Sequence, residues 1–362
     1  MIITGIRTGS VSIPLRKPFK TALRTVEVLE PVIVAIDTDT GDIGWGEAPP
    51  TGAITGDSQG SIRGAIREFI APVLKGKRID SIEDVLTTLD RSCVKNTSAK
   101  AAVDMAVHDL FGKRYGVPLF RLLGGYRDRV ETDLTISVNS PEEMSRDSRE
   151  AVERGFRILK IKIGKEPASD IERIRAVRAA VGPDIVIRLD ANQGWNEREA
   201  IRIMREIESA GLGIELLEQP LPAHDLEGMA AVKHAIATPV LADEAVFSPR
   251  DAEILLARRA ADYLNIKLMK TGGLRGAQQI CAMAELHGVE CFMGCMMESK
   301  LAVTAAAHLA CARRIITRCD LDSPSLCASD PIRGGAVLEG PHLIMPDTPG
   351  LGIEGVDGIA WD

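Results

Sequence analysis

Three acids and three lysines mark the part of this sequence that could do chemistry. Asp190, Glu218 and Asp243 each close a short apolar run: IVIRLD, IELLE and TPVLAD. Lysines hold the matching place in the flanking runs, Lys160 and Lys162 in RILKIKIG and Lys267 in DYLNIKLMK. The series Lys162, Asp190, Glu218, Asp243, Lys267 advances by roughly 24 to 28 residues, about one strand plus one helix each time. The acids offer only oxygen, and no histidine or cysteine shares their positions, so the set suits Mg2+, or Mn2+, and not zinc. Lysines on either side of the acids would face a bound substrate from opposite directions. A free lysine is protonated at neutral pH and is a poor base. Burial and a nearby cation lower its pKa, and here a metal and Lys160 would supply that charge. Lys160 and Lys162 are two apart on one strand and therefore share a side. Helix capping or simple ion pairing would account for any one of the acids, but poorly for three on consecutive strands.

The elements that must carry these residues can be read from periodicity. Up to about residue 50 the pattern is of antiparallel strands: SVSIPL alternates, and PVIVAIDT and IGWGE flank a turn at 38–42. Residues 58 to 115 turn helical, with Gly116 suited to end the last helix. From 126 strands and helices alternate strictly. TDLTISV, RILKIKIG, IVIRLD, IELLE, TPVLAD, DYLNIK, VECFMG and IITRCD make eight strands. Helix starts are marked by Ser140-Pro141, by Asn196 with Glu199 three residues on, and by Ser248-Pro249. Such alternation implies parallel strands with right-handed crossovers, and eight units close into a (β/α)8 barrel. An open doubly wound sheet is the second choice, but no GxGxxG follows an early strand, the one match being GLGIEG (350–355) in the tail, and GxxxxGK[ST] does not occur. The expected organisation is an α/β protein. An α+β capping domain spans 1–125 and the barrel spans 126–324. A Gly- and Pro-rich segment, 325–362, returns to the capping domain.

Bulk composition narrows the function classes. The chain has 362 residues, 45% hydrophobic and 26% charged, with a net charge of −7. That balance argues against nonspecific nucleic-acid binding, which needs a basic surface. No apolar run is long enough to span a bilayer, and the first residues read as a strand and not as a signal peptide. Seven cysteines show no framework spacing, so reduced thiols in a cytoplasmic protein are expected. Cys291 and Cys295 lack a second pair of ligands, which excludes a zinc site there.

The motifs LKIKIG (159–164), RLDANQGW (188–195), LLEQPL (216–221), LADEAV (241–246) and NIKLMKTGG (265–273) together resemble the enolase superfamily, in its muconate-lactonizing subgroup. The resemblance covers essentially the whole chain. It implies that Asp190, Glu218 and Asp243 hold Mg2+, and that Lys162 and Lys267 transfer protons at the carbon next to a carboxylate. It further implies that Lys160 helps bind that carboxylate and the enolate. Within the subgroup, CDLDSP at the end of the eighth strand narrows the choice. Asp320 and Asp322, two apart, would project to one side and form a pocket for a cationic group. That Asp-x-Asp looks like the one by which dipeptide epimerases hold the substrate's α-ammonium. GCMMESKLAVTAAAH (294–308) and KPFKTALRTV (17–26) are similar to that family too, nearest to epimerases of L-Ala-D/L-Glu.

The reaction implied is a two-base 1,1-proton transfer through an enolate, inverting the C-terminal residue of a small dipeptide. Arg24, which the family places in a mobile loop over the site, would pair with a glutamate side chain. Met297, Ile54 and Thr55 would line the pocket, and Thr135 and Ser137 would hydrogen-bond the peptide. Glu298, taken to end the seventh strand, and Cys295 nearby are left without a role. Epimerases of cationic or hydrophobic dipeptides, N-acylamino-acid racemases and o-succinylbenzoate synthases are the alternatives, as is an inactive binding protein on the same scaffold. Barrels of this family often assemble, so a homo-oligomer is admitted.

Overall fold

Five strands open the chain: β1 (Ile3–Ser10), β2 (Ile13–Lys20), β3 (Thr25–Leu29), β4 (Val32–Thr38) and β5 (Ile43–Ala48). The structure is a computed structural model that describes residues 1–362. The run SVSIPL, which reads as one alternating strand, is broken after Ser10. β1 pairs antiparallel with β4, and β2 leaves to form a hairpin with β3. The reason is proline: Pro14 and Pro18 cannot donate to a ladder, and the β2–β3 register slips between Pro14 and Phe19. The segment expected as a loop around Arg24 is therefore a hairpin, with Thr21–Arg24 as its turn.

The helical part follows as α1 (Gln59–Ala65), a π-turn at Ile66–Ile70, α2 (Ala71–Leu74), α3 (Ile82–Ser92), α4 (Thr97–Tyr115) and α5 (Leu119–Leu122). α4 is buried along most of its length, which its alanine-rich sequence allows, and it lies directly on β5. Gly46 makes that approach possible: a Cβ there would sit 1.8 Å from the Ala102 carbonyl oxygen.

After β6 (Arg129–Glu131) come eight parallel strands: β7 (Leu134–Ile136), β8 (Ile158–Lys162), β9 (Val186–Asp190), β10 (Ile214–Glu218), β11 (Val240–Ala242), β12 (Tyr263–Ile266), β13 (Glu290–Gly294) and β14 (Ile316–Asp320). They pair in chain order from β7 to β14. The seam between first and last is bridged where the Asp133 N–H donates to the Cys319 carbonyl at 3.4 Å. The barrel is nearly closed, as expected. Its helices are α6 (Pro141–Glu153), α7 (Pro167–Val181), α8 (Glu197–Ser209), α9 (Leu226–Ala235), α10 (Pro249–Arg258), α11 (Leu268–Thr271) with α12 (Leu274–His287), α13 (Lys300–Ala312) and α14 (Ser323–Leu326). Ser140, Asn196 and Ser248 cap α6, α8 and α10 through their side chains, and Asn196 with Glu199 completes a capping box.

The eighth unit is curtailed: α14 is a single turn, and the chain then leaves the barrel. The tail forms β15 (Ile332–Gly334), β16 (Val337–Glu339), β17 (His342–Ile344), β18 (Ile353–Val356) and β19 (Ala360–Trp361). β17 pairs with β6, and β19 pairs with β1. All seven cysteines are free thiols. No helix is long and apolar enough to cross a membrane.

Candidate active site at the barrel mouth

The parallel register sets the site. Lys162, Asp190 and Glu218 end β8, β9 and β10 and are directly paired across them. Asp243 and Lys267 follow β11 and β12, and Asp320 ends β14. All six are buried. Lys160 lies one inward-facing position deeper, with its ammonium 3.0 Å from Asp190, 2.7 Å from Glu218 and 2.7 Å from Asp320. Lys162 donates to Asp190 Oδ2 at 2.6 Å, and Lys267 to Asp243 Oδ2 at 2.6 Å.

These contacts govern the protonation states. Burial disfavours the Asp190 carboxylate, but Lys162 and Lys160 outweigh it and hold the group at about 2. Glu218 is pushed up to about 7 by burial and by the charge of Asp190. Asp243 stays below the usual carboxylate range, because Lys267 and Lys270 overcome its burial. The carboxylates act in turn on two of the lysines. At Lys267 burial lowers the value, yet Asp243 leads the neighbouring carboxylates in raising it above the ordinary lysine range. Lys160 is raised well above that range in the same way, by Asp320, Glu218 and Asp190 against its burial.

A second acidic group faces the first across the mouth. Carboxylate oxygens of Asp133, Asp320 and Asp322 lie within 4.8 Å of one another, close enough to hold a metal. Asp322 is not on the strand with Asp320, as the spacing suggests; it is the N-cap of α14, with φ −85° and ψ −12°. Both nevertheless reach the same cavity. The Thr135 N–H donates to Asp322 Oδ2 at 2.6 Å, and Arg188 to Asp133 Oδ2 at 2.8 Å. Burial and the Asp320 charge push Asp322 up to about 6.

Between the groups lies a cavity of about 570 Å³, its mouth included. Arg24 and Ile54 from the capping segment line it, together with Thr135, Met297 and Cys295. Arg24 is half-buried and its guanidinium has no hydrogen-bond or ion-pair partner. Thr55 and Ser137 do not line it. Thr55 donates to the Thr51 carbonyl, and Ser137 accepts from the Lys20 N–H, which fixes the hairpin to the barrel. Glu298 lies four residues beyond β13, not at its end; it accepts from the Met296 N–H, while Ser299 caps α13. Burial pushes Glu298 up to about 8 and raises the Cys295 thiol well above its usual range.

Several residues went unassigned in the sequence although they stand inside the motifs quoted. Lys270 is fully buried and holds Asp243 at 2.5 Å. Asn265 donates to Glu218 at 2.8 Å, and Gln219 accepts the Asp243 N–H at 2.9 Å. Asn192 donates to Glu244 at 3.2 Å. Burial and the charges of Asp243 and Asp190 push Glu244 up to about 8. Each sits one to three residues beyond a strand-end charge or just before it, which is the one signal that could have found them.

The chemistry of the first group fits a divalent ion. Asp190, Glu218 and Asp243 are hard oxygen donors from three adjacent strand ends, supported by Gln219, Asn265 and Lys270. Residues 143–357 match the family model of the enolase C-terminal domain-like fold. Residues 3–124 match that of the mandelate racemase/muconate lactonizing enzyme N-terminal domain. The L-Ala-D/L-Glu epimerase of Clostridium acetobutylicum is 55% identical over 357 residues, 99% of this chain and 100% of that protein. A substrate-liganded complex of the L-Ala-D/L-Glu epimerase from Bacillus subtilis superposes with a TM-score of 0.97 at 52% identity, covering 98% of this chain and 99% of that one. A dipeptide epimerase from Enterococcus faecalis, complexed with Mg and L-Leu-L-Tyr, gives 0.95 at 39% identity, covering 98% and 100%. The chain belongs to the mandelate racemase/muconate lactonizing enzyme family of the enolase superfamily. It is an isomerase of the racemase and epimerase type.

Proposed function

We propose that this chain is a Mg2+-dependent dipeptide epimerase, acting on L-Ala-D/L-Glu, with Lys162 and Lys267 as its two bases. The observation that carries the reading is the placement of those ammonium groups beside Asp190 and Asp243, on opposite flanks of one cavity. The metal ligands are Asp190, Glu218 and Asp243. When bound, Mg2+ supplies the positive charge against which the substrate carboxylate and its enolate form are held. Lys160 adds a second positive charge at that place. One lysine takes the α-proton of the C-terminal residue. The other returns a proton to the opposite face, and the centre inverts. Which acts first depends on the starting isomer. Asp320 and Asp322 receive the α-ammonium, and Thr135 fixes Asp322. Arg24, unpartnered over the cavity, receives the glutamate side chain, while Met297 packs against the substrate.

We assign the metal to the first acidic group because Asp133 is committed to Arg188 and Asp322 to a backbone amide. Peptidoglycan-derived peptides in the cytoplasm are the substrate source this activity suggests, and seven free cysteines agree with a reducing compartment. Proton NMR in D2O with Mg2+ and L-Ala-L-Glu tests the proposal. Loss of the glutamate α-proton signal with formation of L-Ala-D-Glu is expected. Exchange only with basic or apolar dipeptides would keep the mechanism and discard the substrate. Turnover confined to N-acylamino acids would replace the reading with racemisation of those compounds.

A further inference from the structure

Two acceptor atoms beside the carboxylates of β9 and β11 have no partner. Asn192 Oδ1 and Glu244 Oε2 are buried without a hydrogen bond. Each residue is only 6% exposed, and both line the cavity. A buried polar atom left unpaired is costly, so each such atom in a folded protein needs an explanation.

The local backbone is built to hold them there. Asn192 has a φ of 41°, in the left-handed region that side-chain-bearing residues seldom enter and asparagine tolerates best. That turn directs its N–H to Asp190 Oδ1 at 2.8 Å, while its side-chain amide donates to Glu244 Oε1 at 3.2 Å. The donor end of Asn192 and one oxygen of Glu244 are thereby used. The remaining Asn192 oxygen is an acceptor, and the remaining Glu244 oxygen is one when the carboxyl is ionised, the form a neighbouring cation favours. The residues before them in the motifs, Asp190 and Asp243, are two of the three carboxylates assigned to the metal. The dipeptide's cationic end is assigned to the other side of the cavity, at Asp320 and Asp322. A water polarised by a divalent ion is a strong hydrogen-bond donor and answers two free acceptors.

We propose that Asn192 Oδ1 and Glu244 Oε2 together receive a water molecule of the divalent ion held by Asp190, Glu218 and Asp243. They are positioning residues for that ion, and the inference rests on the metal assignment above. The geometry accounts for a strained asparagine and a buried second acid in a loop that already carries enough ligands.

The test compares the wild-type protein with Glu244→Gln and Asn192→Gly, all without substrate. Glycine keeps the left-handed backbone at 192 while removing the acceptor. At 244 an amide can satisfy Asn192 or the water, but not both. Mg2+ affinity is measured by titration calorimetry, and hydration of bound Mn2+ by water-proton relaxation. Both variants should bind Mg2+ about tenfold or more weakly, with altered relaxation per bound Mn2+. Wild-type affinity and relaxation in Asn192→Gly would overturn the proposal, since any effect of Glu244→Gln would then be charge alone. If Glu244→Gln does not fold, Asn192→Gly decides. A wild-type protein that binds no Mg2+ would remove the metal assignment and this inference together. Binding lost in Asp190→Asn but unchanged in both test variants would remove only the inference.

Discussion

The barrel mouth carries two sets of three buried carboxylates, and they are neutralised differently. Asp190, Glu218 and Asp243 are met by ammonium groups, from Lys160, Lys162, Lys267 and Lys270, at 2.5 to 3.0 Å. Asp133, Asp320 and Asp322 are met by one guanidinium, one ammonium and one backbone N–H. Lys160 touches both sets. An arginine or a main-chain amide holds its partner in one geometry, whereas a lysine ammonium is a compact point charge on a flexible stem. The proposed assignment of the substrate ammonium to the second set rests on that fixed geometry. The first is met by buried point charges, and its proposed role as the metal site rests on that surplus of counter-charge beside hard oxygen donors. Counting acids does not separate the two sets; their counter-groups do.

The largest expected effect is at the lysines of the first set. Lys162→Ala or Lys267→Ala should each lower epimerisation of L-Ala-L-Glu by about 10²–10⁴-fold or more, read as the rate of change in optical rotation. Full turnover in either variant would contradict the two-base reading. Next comes a contrast between the sets themselves. Asp190→Asn should cost at least about 10–100-fold in Mg2+ affinity, while Asp320→Asn should bind Mg2+ normally and show a raised KM for the free dipeptide. Calorimetry and kinetics giving the reverse pattern would exchange the two assignments.

Legibility in the sequence followed the same division. Asp190, Glu218 and Asp243 were readable because each closes an apolar run, and a parallel sheet turns equal strand ends into one surface. Lys270 and Glu244 were not, because each lies past a charge that already explained its motif, and its burial is a tertiary fact. Asn192 depends on a left-handed backbone that no periodicity reveals. Asp133 precedes its strand and gains meaning only where the barrel seam brings Asp320 beside it. The hairpin carrying Arg24 is not legible because SVSIPL reads as one unbroken strand and the segment around Arg24 reads as a loop. The single-turn α14 is too short to show a period, and it runs into a Gly- and Pro-rich tail.

Smaller effects test the rim. Arg24→Ala should raise KM for L-Ala-L-Glu by about tenfold, the value of one charge-assisted hydrogen bond of about 1.5 kcal/mol, and leave L-Ala-L-Ala little changed. Equal losses on both substrates would remove Arg24 as the selector of the glutamate side chain. Asp322 is raised to about 6, so it is charged above that value and neutral below. Affinity for the dipeptide ammonium should therefore weaken as pH falls through about 6, with the inflection lost in Asp322→Asn. A KM profile flat from pH 7 to 5 would exclude Asp322 from binding the cation.

The central claim is that two lysines work on opposite faces of one carbon. Its most direct test is α-proton exchange in D2O by Lys267→Ala, followed by NMR on L-Ala-L-Glu and L-Ala-D-Glu separately. The account predicts that Lys162 alone still exchanges the proton of one epimer, without inversion, and leaves the other untouched. Exchange of both epimers, or of neither while the variant binds substrate normally, would contradict it.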